Sequence, residues 1–183
     1  GTTVATNALL QGEVSGLGLI VTEGFRHVLE IARQSVPDGY GNSYFWVKPE
    51  RPVPLELIRE VGGRLNFKGE ELRPLADDDV REAARFFKRK NIRSVGVCLI
   101  HAYANDAHEK RVLEILREEY PDCTISISSQ VLPEYREYER TVTTLVDAFV
   151  KPYMDRYLKC VKDALGDRLS DKPFLVMQSN GGV

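Results

Sequence analysis

Three groups of residues have the types and spacing to do chemistry. The first is the closing run Gln178-Ser179-Asn180-Gly181-Gly182, where an apolar segment (PFLVMQ) runs into small polar residues and glycines. A buried strand ending this way exposes backbone amides at its carboxyl end, the edge where open α/β sheets bind ligands. Gly181 and Gly182 could form an anion nest, with Ser179 and Asn180 as side-chain donors. The plain alternative is an ordinary strand-to-helix turn. Thr2 and Thr3 open a helical segment and form the second group, because unsatisfied amides at a helix start favour phosphate. From spacing alone a simple Thr cap is the better account of them.

The third group is Glu134-Tyr135-Arg136-Glu137-Tyr138-Glu139-Arg140-Thr141, three carboxylates, two guanidinium groups and two phenols at one helical entrance. Glu137, Glu139 and Arg140 could hold a nucleotide-bound metal or polarise a carbonyl. A solvated helix end laced with weak ion pairs would look the same. His27, His101 and His108 do not make a metal site on spacing: the step from 101 to 108 fits neither His-x-x-x-His nor His-Glu-x-x-His. They read as structural or surface residues, and no metal ligand is assigned. No Gly-x-Ser-x-Gly elbow, Walker loop or Cys-His pairing occurs.

These groups need elements to hold them. Thr3 to Gln11 reads as a helix and Gly16 to Thr22 as a buried strand, followed by a short helix ending near Ile31. Ser35 to Pro54 is rich in Pro, Gly and aromatics and reads as a long loop. Ile58 to Phe67 predicts a strand pair or a bulged strand around Gly62-Gly63. Asp77-Asp78-Asp79 starts a helix with apolar positions Val80, Ala83, Ala84 and Phe87, its carboxylates on the positive dipole end. Ser94 to Ile100 is a strand too apolar for a wet face, Asp106 to Tyr120 an amphipathic helix, and Thr124 to Ser128 a short strand. From about Pro133 to Leu165 a helical stripe predicts one face buried along its whole length, kinked at Pro152. Strands alternating with such helices mean an α/β fold with a largely parallel sheet.

With 183 residues at roughly 150 per domain, the chain holds one domain, or one and part of another. Its 43% hydrophobic and 28% charged residues are globular, and a net charge of -2 without a basic block argues against nucleic acid. Three widely spaced cysteines, Cys98, Cys123 and Cys160, make no disulfide framework and point to a reducing compartment. No apolar run approaches the roughly 18 residues of a membrane span, so a cytoplasmic protein is expected. The chain opens without Met and stops in a Gly-rich turn, as a piece of a longer chain would.

GTTVATNALL, EGFRHVLEIARQ, VCLIHAYANDAHEKRVLEIL, VLPEYREYERTVTTLVDAFVKPY and LVMQSNGG, in that order, resemble the hydantoinase A and 5-oxoprolinase family, which includes the beta-type subunits of acetone and acetophenone carboxylases. The resemblance covers essentially the whole chain. It implies a partial actin-like ATPase (ribonuclease H-like) fold, incomplete as a fragment, with residues 1–132 from the family's N-terminal region and 133–183 opening its hydantoinase A domain. It also implies ATP and Mg2+ as cofactors of the full-length protein. The implied reaction opens a cyclic amide, a hydantoin or 5-oxoproline, by phosphorylating its carbonyl oxygen. A ketone carboxylase subunit and a scaffold without nucleotide binding are the alternatives. Implied partners are the cyclic amide or ketone, further copies of the chain or a hydantoinase B type subunit, with no nucleic acid and no membrane. Thr2, Thr3, Ser179, Asn180, Gly181 and Gly182 match the family's nucleotide-side segments, and Glu137, Glu139 and Arg140 its Glu-Tyr-Glu-Arg run. Val142 stands where the family often has Ser and Asp147 where it often has Asn, so the substrate stays open.

Overall fold

A computed structural model describes residues 3–10, 16–33 and 51–165. The expected strand 173–178 and most of the loop 35–54 lie outside them. The elements run α1 (Thr3–Leu10), β1 (Leu17–Thr22), α2 (Val28–Ile31), β2 (Ile58–Val61), β3 (Arg64–Leu65), β4 (Glu71–Arg73), α3 (Asp77–Arg89), β5 (Ser94–Cys98), α4 (Ala107–Glu119), β6 (Thr124–Ile127), α5 (Ser128–Val131) and α6 (Glu137–Leu165).

All six residues of β1 are buried, as a strand covered on both faces requires. It pairs in parallel with β2 on one side and β5 on the other, and β5 pairs in parallel with β6, giving the order β2-β1-β5-β6. The α/β architecture with a parallel sheet is therefore present as the alternation of elements predicts. Residues alternate between the two faces. Ile20, Val95, Val97 and Ile127 enter one core with Val80, Phe87, Val112 and Leu116 of α3 and α4. Gly96, Cys98 and Ser126 face the opposite way, toward the start of α6. A Cβ on Gly96 would stand 3.0 Å from Leu145, and the Ser126 hydroxyl donates to Asp147 at 2.6 Å.

Helix α3 forms for the reasons its sequence gives. Three aspartates occupy its first turn and Lys88 and Arg89 its last, both favourable to the dipole. Just beyond its end Asn91 lies in the left-handed region (φ 54°), with the Ile92 N–H returned to the Phe87 carbonyl at 2.9 Å. Gly62-Gly63 does not bulge a single strand. It separates β2 from β3, which pairs with β4 as a small antiparallel hairpin of its own.

Helix α6 begins at Glu137, later than its periodicity predicts, and continues through Pro152. Its expected stripe is buried only in part. Arg140, Thr141, Thr144, Leu145, Ala148 and Phe149 are buried, whereas Tyr153 and Tyr157 are exposed. The buried face carries polar residues because each hydroxyl is answered within the helix: Thr141 donates to the Glu137 carbonyl and Thr144 to the Arg140 carbonyl, both at 2.7 Å. By compactness the chain divides into two units, Ser15–Ala148, which holds the whole sheet, and Gly1–Val14 with Phe149–Val183. Helix α6 thus belongs to both.

Candidate functional site

Parallel strands β5 and β6 end on the same edge, and there the sequence turns polar: Leu99-Ile100-His101-Ala102-Tyr103-Ala104-Asn105-Asp106 leads from β5 into α4. Leu99 is gripped at both of its main-chain polar groups. Its N–H donates to Glu109 Oε1 at 2.9 Å, and its carbonyl accepts from Arg140 Nη2 at 2.8 Å. Both side chains are fully buried.

Glu109 also accepts from the Ser128 hydroxyl (2.7 Å) and the Ser129 N–H (2.8 Å), so one carboxylate ties β5 to the start of α5. Burial pushes its carboxyl pKa up, against those hydrogen bonds, which favour the ionised form. Arg140 donates further to the Glu134 carbonyl at 2.8 Å and to Cys98 Sγ at 3.4 Å, and its guanidinium lies 5.6 Å from the Tyr103 ring centre. Burial raises the Cys98 thiol pKa although Arg140 opposes it.

Beyond Leu99 the loop passes through His101 in the left-handed region (φ 61°), a conformation that costs free energy for a residue other than glycine. Its Nδ1 is 3.3 Å from the Tyr103 hydroxyl. Burial lowers the His101 pKa, with Arg64 and Arg140 adding to the effect and the Glu137 carboxylate opposing it. The imidazole is therefore neutral at pH 7. Against this loop lies the β3–β4 turn: Asn105 Nδ2 donates to the Gly69 carbonyl at 2.9 Å. An open cleft of about 420 Å3 is lined by Lys68, Gly69, residues 102–106, Ser129 and Pro133.

The three acidic-basic candidates part company in this arrangement. Arg140 is a buried group bonded to carbonyls and a thiol. Glu139 pairs with Arg33, and its own backbone N–H together with that guanidinium holds its carboxyl below the ordinary range. Glu137 is half-buried, lies within electrostatic reach of His101, and accepts the Thr141 hydroxyl at its carbonyl. His108, buried, sits with Nε2 2.7 Å from Glu71 Oε2. Thr3 begins α1, while Thr2, Ser179, Asn180, Gly181 and Gly182 lie outside the described residues. Among the described residues no cluster of three His, Cys, Asp or Glu could hold a metal ion, and no helix is long and apolar enough to cross a membrane.

From the sequence His101 reads as a structural or surface residue, and neither Glu109 nor Tyr103 stands out as a candidate. The available signal was the pattern already noted at residues 173–182: an apolar strand followed at once by a short polar stretch. Nothing in the sequence marks Glu109 as buried.

Residues 1–120 match the hydantoinase/oxoprolinase N-terminal region, and residues 140–183 match hydantoinase/oxoprolinase. The chain belongs to the hydantoinase/oxoprolinase family. Relatives within it include the caprolactamase subunit alpha of Pseudomonas jessenii, 34% identical over 100% of this chain and 26% of its own length. The acetophenone carboxylase gamma subunit of Aromatoleum aromaticum is 34% identical over 99% of this chain and 26% of its own. Against 5-oxoprolinase 1 of Arabidopsis thaliana the identity is 34%, over 100% of this chain and 16% of the plant protein. This member thus spans about a quarter or less of these relatives. The crystal structure of the ATP-dependent caprolactamase from Pseudomonas jessenii superposes with a TM-score of 0.86 at 34% identity, covering 100% of this chain and 26% of that one. Nucleotide-free acetone carboxylase, at 24% identity and a TM-score of 0.80, shares the fold.

Proposed function

We propose that this chain is part of an ATP-dependent enzyme that opens a cyclic amide of the hydantoin or 5-oxoproline type. The observation that carries the reading is its 34% identity and TM-score of 0.86, over the whole chain, with the ATP-dependent caprolactamase of Pseudomonas jessenii. An amide in a small ring resists water. Phosphorylating its oxygen breaks the bond between the β- and γ-phosphoryl groups of ATP and forms an imidate-like phosphate. Water then adds to the carbon and the ring C–N bond breaks, leaving an acyl phosphate that a second water hydrolyses, so ATP, amide and two waters give ADP, phosphate and the ring-opened acid. ATP supplies the phosphoryl group, and catalysis of such transfers is chiefly positioning and charge stabilisation.

Within this reading Thr2, Thr3 and Ser179 to Gly182 contact the nucleotide in an actin-like fold. Mg2+ arrives with the nucleotide, since such ions are held mostly by phosphates and waters with one or two carboxylates. Glu137 is the member of the Glu-Tyr-Glu-Arg run still open to a ligand, because Glu139 is paired with Arg33 and Arg140 is buried. Caprolactamase and the carboxylases are described as subunits, which supports a complex with a companion chain.

The test is ADP release by the whole protein, with any companion subunit, on caprolactam, 5-oxoproline, hydantoin, and acetone or acetophenone with bicarbonate. ATP-dependent opening of an amide ring is expected. The similarity to acetophenone carboxylase favours one second reading, a ketone carboxylase subunit, and turnover of a ketone alone would select it. No turnover on either class would leave the segment a scaffold.

A further inference from the structure

The loop after β5 is fixed at a cost that the sheet alone does not explain. Burying an ion is costly unless it is fully bonded, yet a carboxylate and a guanidinium are both buried to hold the main-chain N–H and carbonyl of Leu99. The loop then accepts a left-handed histidine, and Gly69 closes against it from the facing turn with φ 80°. A Cβ on Gly69 would stand 3.0 Å from the Ala104 carbonyl oxygen, so the approach of the two segments depends on its absence. What this framework defines is the cleft of about 420 Å3, within the size range of small-molecule sites, at the carboxyl ends of β5 and β6.

The lining has a definite chemistry. Lys68 and Tyr103 bring donors, and Asp106 brings an acceptor, its carboxylate shared with Lys110 at 2.8 Å. A lactam or hydantoin ring is complementary to such a mixture, because its amide is locked cis and presents a carbonyl oxygen and an N–H on adjacent atoms. A triphosphate is not, since one lysine beside an aspartate cannot balance its charge.

The geometry points to this cleft as the docking site of the cyclic amide, with Lys68, Tyr103 and Asp106 as its hydrogen-bonding residues and Glu109 and Arg140 as positioning residues behind them. The inference rests on the amide-hydrolase reading above and places the amide apart from the nucleotide segments in sequence.

Two measurements on the whole protein test it. A γ-lactam bearing a diazirine, photolysed with the protein in the absence of ATP, should label residues 68–69, 102–106 or 129–133, with protection by excess 5-oxoproline. In turnover assays Lys68→Met and Tyr103→Phe should each raise KM for the amide about tenfold, the loss expected for one hydrogen bond, with KM for ATP changed less than about twofold. Glu109→Gln should raise KM for the amide more than it lowers kcat, a split that a general loss of folded protein would not produce. Labelling elsewhere, no protected labelling at all, or an unchanged amide KM in both cleft variants would overturn the proposal. If the wild type turns over no amide, the function reading fails, and the labelling alone decides whether the cleft is a lactam site.

Discussion

Arg140 gives its donors to the carbonyls of Leu99 and Glu134 and to the Cys98 sulfur, so its removal takes a charged donor from each and leaves the buried Leu99 carbonyl only the Ala102 N–H, at 3.3 Å. Arg140→Ala should therefore cost about 3 kcal/mol in chemical denaturation. Arg140→Lys should recover only part, because one ammonium cannot reproduce a planar fork. Glu109 makes a different prediction. Its folded pKa lies above the unfolded value of 4.5, so the folded state binds a proton more readily than the unfolded state does. The stability this contributes is fully present below pH 4.5 and is lost as pH rises through the folded pKa. Glu109→Gln lacks that component, so its denaturation midpoint should trail the wild type most at pH 4.5 and less at pH 8. A gap that widens with pH would contradict the raised pKa. The cysteines divide in the same way: Cys123 is pushed up to about 12 by burial and Cys98 is raised too, while Cys160 is exposed. A thiol reagent at pH 8 should modify Cys160 alone in the native chain.

Elements in this protein are held by close approaches as much as by apolar area. At Gly18, in β1, an added Cβ would stand 2.5 Å from the Phe87 ring of α3. Gly18→Ala should destabilise by about 1–3 kcal/mol as an overpacked core, and pairing it with Phe87→Leu should restore part of the loss. Additive losses in the double variant would mean that strand and helix do not meet there. Helix α6 shows how a hydrophobic period can mislead. Residues 140–149 follow the buried face, but Val146, Tyr153 and Tyr157 of the same apolar stripe are exposed. Phe149, at 5% exposure, tests the buried part: Phe149→Asp should cost several kcal/mol by burying an unpaired charge, whereas Pro152→Ala should leave the fold intact.

At the scale of the molecule, the unit Ser15–Ala148 contains the four-stranded sheet, the α3–α4 cover on one face and the first part of α6 on the other. A sheet covered on both faces by its own segment meets the requirement for independent folding. Residues 15–148 expressed alone should unfold cooperatively in urea with native-like circular dichroism. A non-cooperative transition would show that the unit depends on the rest of the chain. The division also separates the candidate segments in sequence: Thr2, Thr3 and Ser179 to Gly182 belong to one unit, and the β5–α4 loop and Glu137 to Arg140 to the other.

The sequence by itself determined the alternation of strands and helices, the parallel sheet, the apolar face of α3 and the family, because each depends on local period or on motifs contiguous in the chain. Propensity also marked the break at Gly62-Gly63, though not that it splits two sheets. The cleft was not legible, because its walls come from residues 68–69, 102–106, 129 and 133, brought together only when β5 and β6 pair side by side. Nor could the roles in the Glu-Tyr-Glu-Arg run be read. Glu137, Glu139 and Arg140 are close neighbours on one helix with similar polarity in sequence. The packing of α6 on the sheet alone buries the arginine, leaves one glutamate paired with Arg33 and turns the other toward His101, since burial and electrostatic environment are properties of the surroundings and not of the side chain.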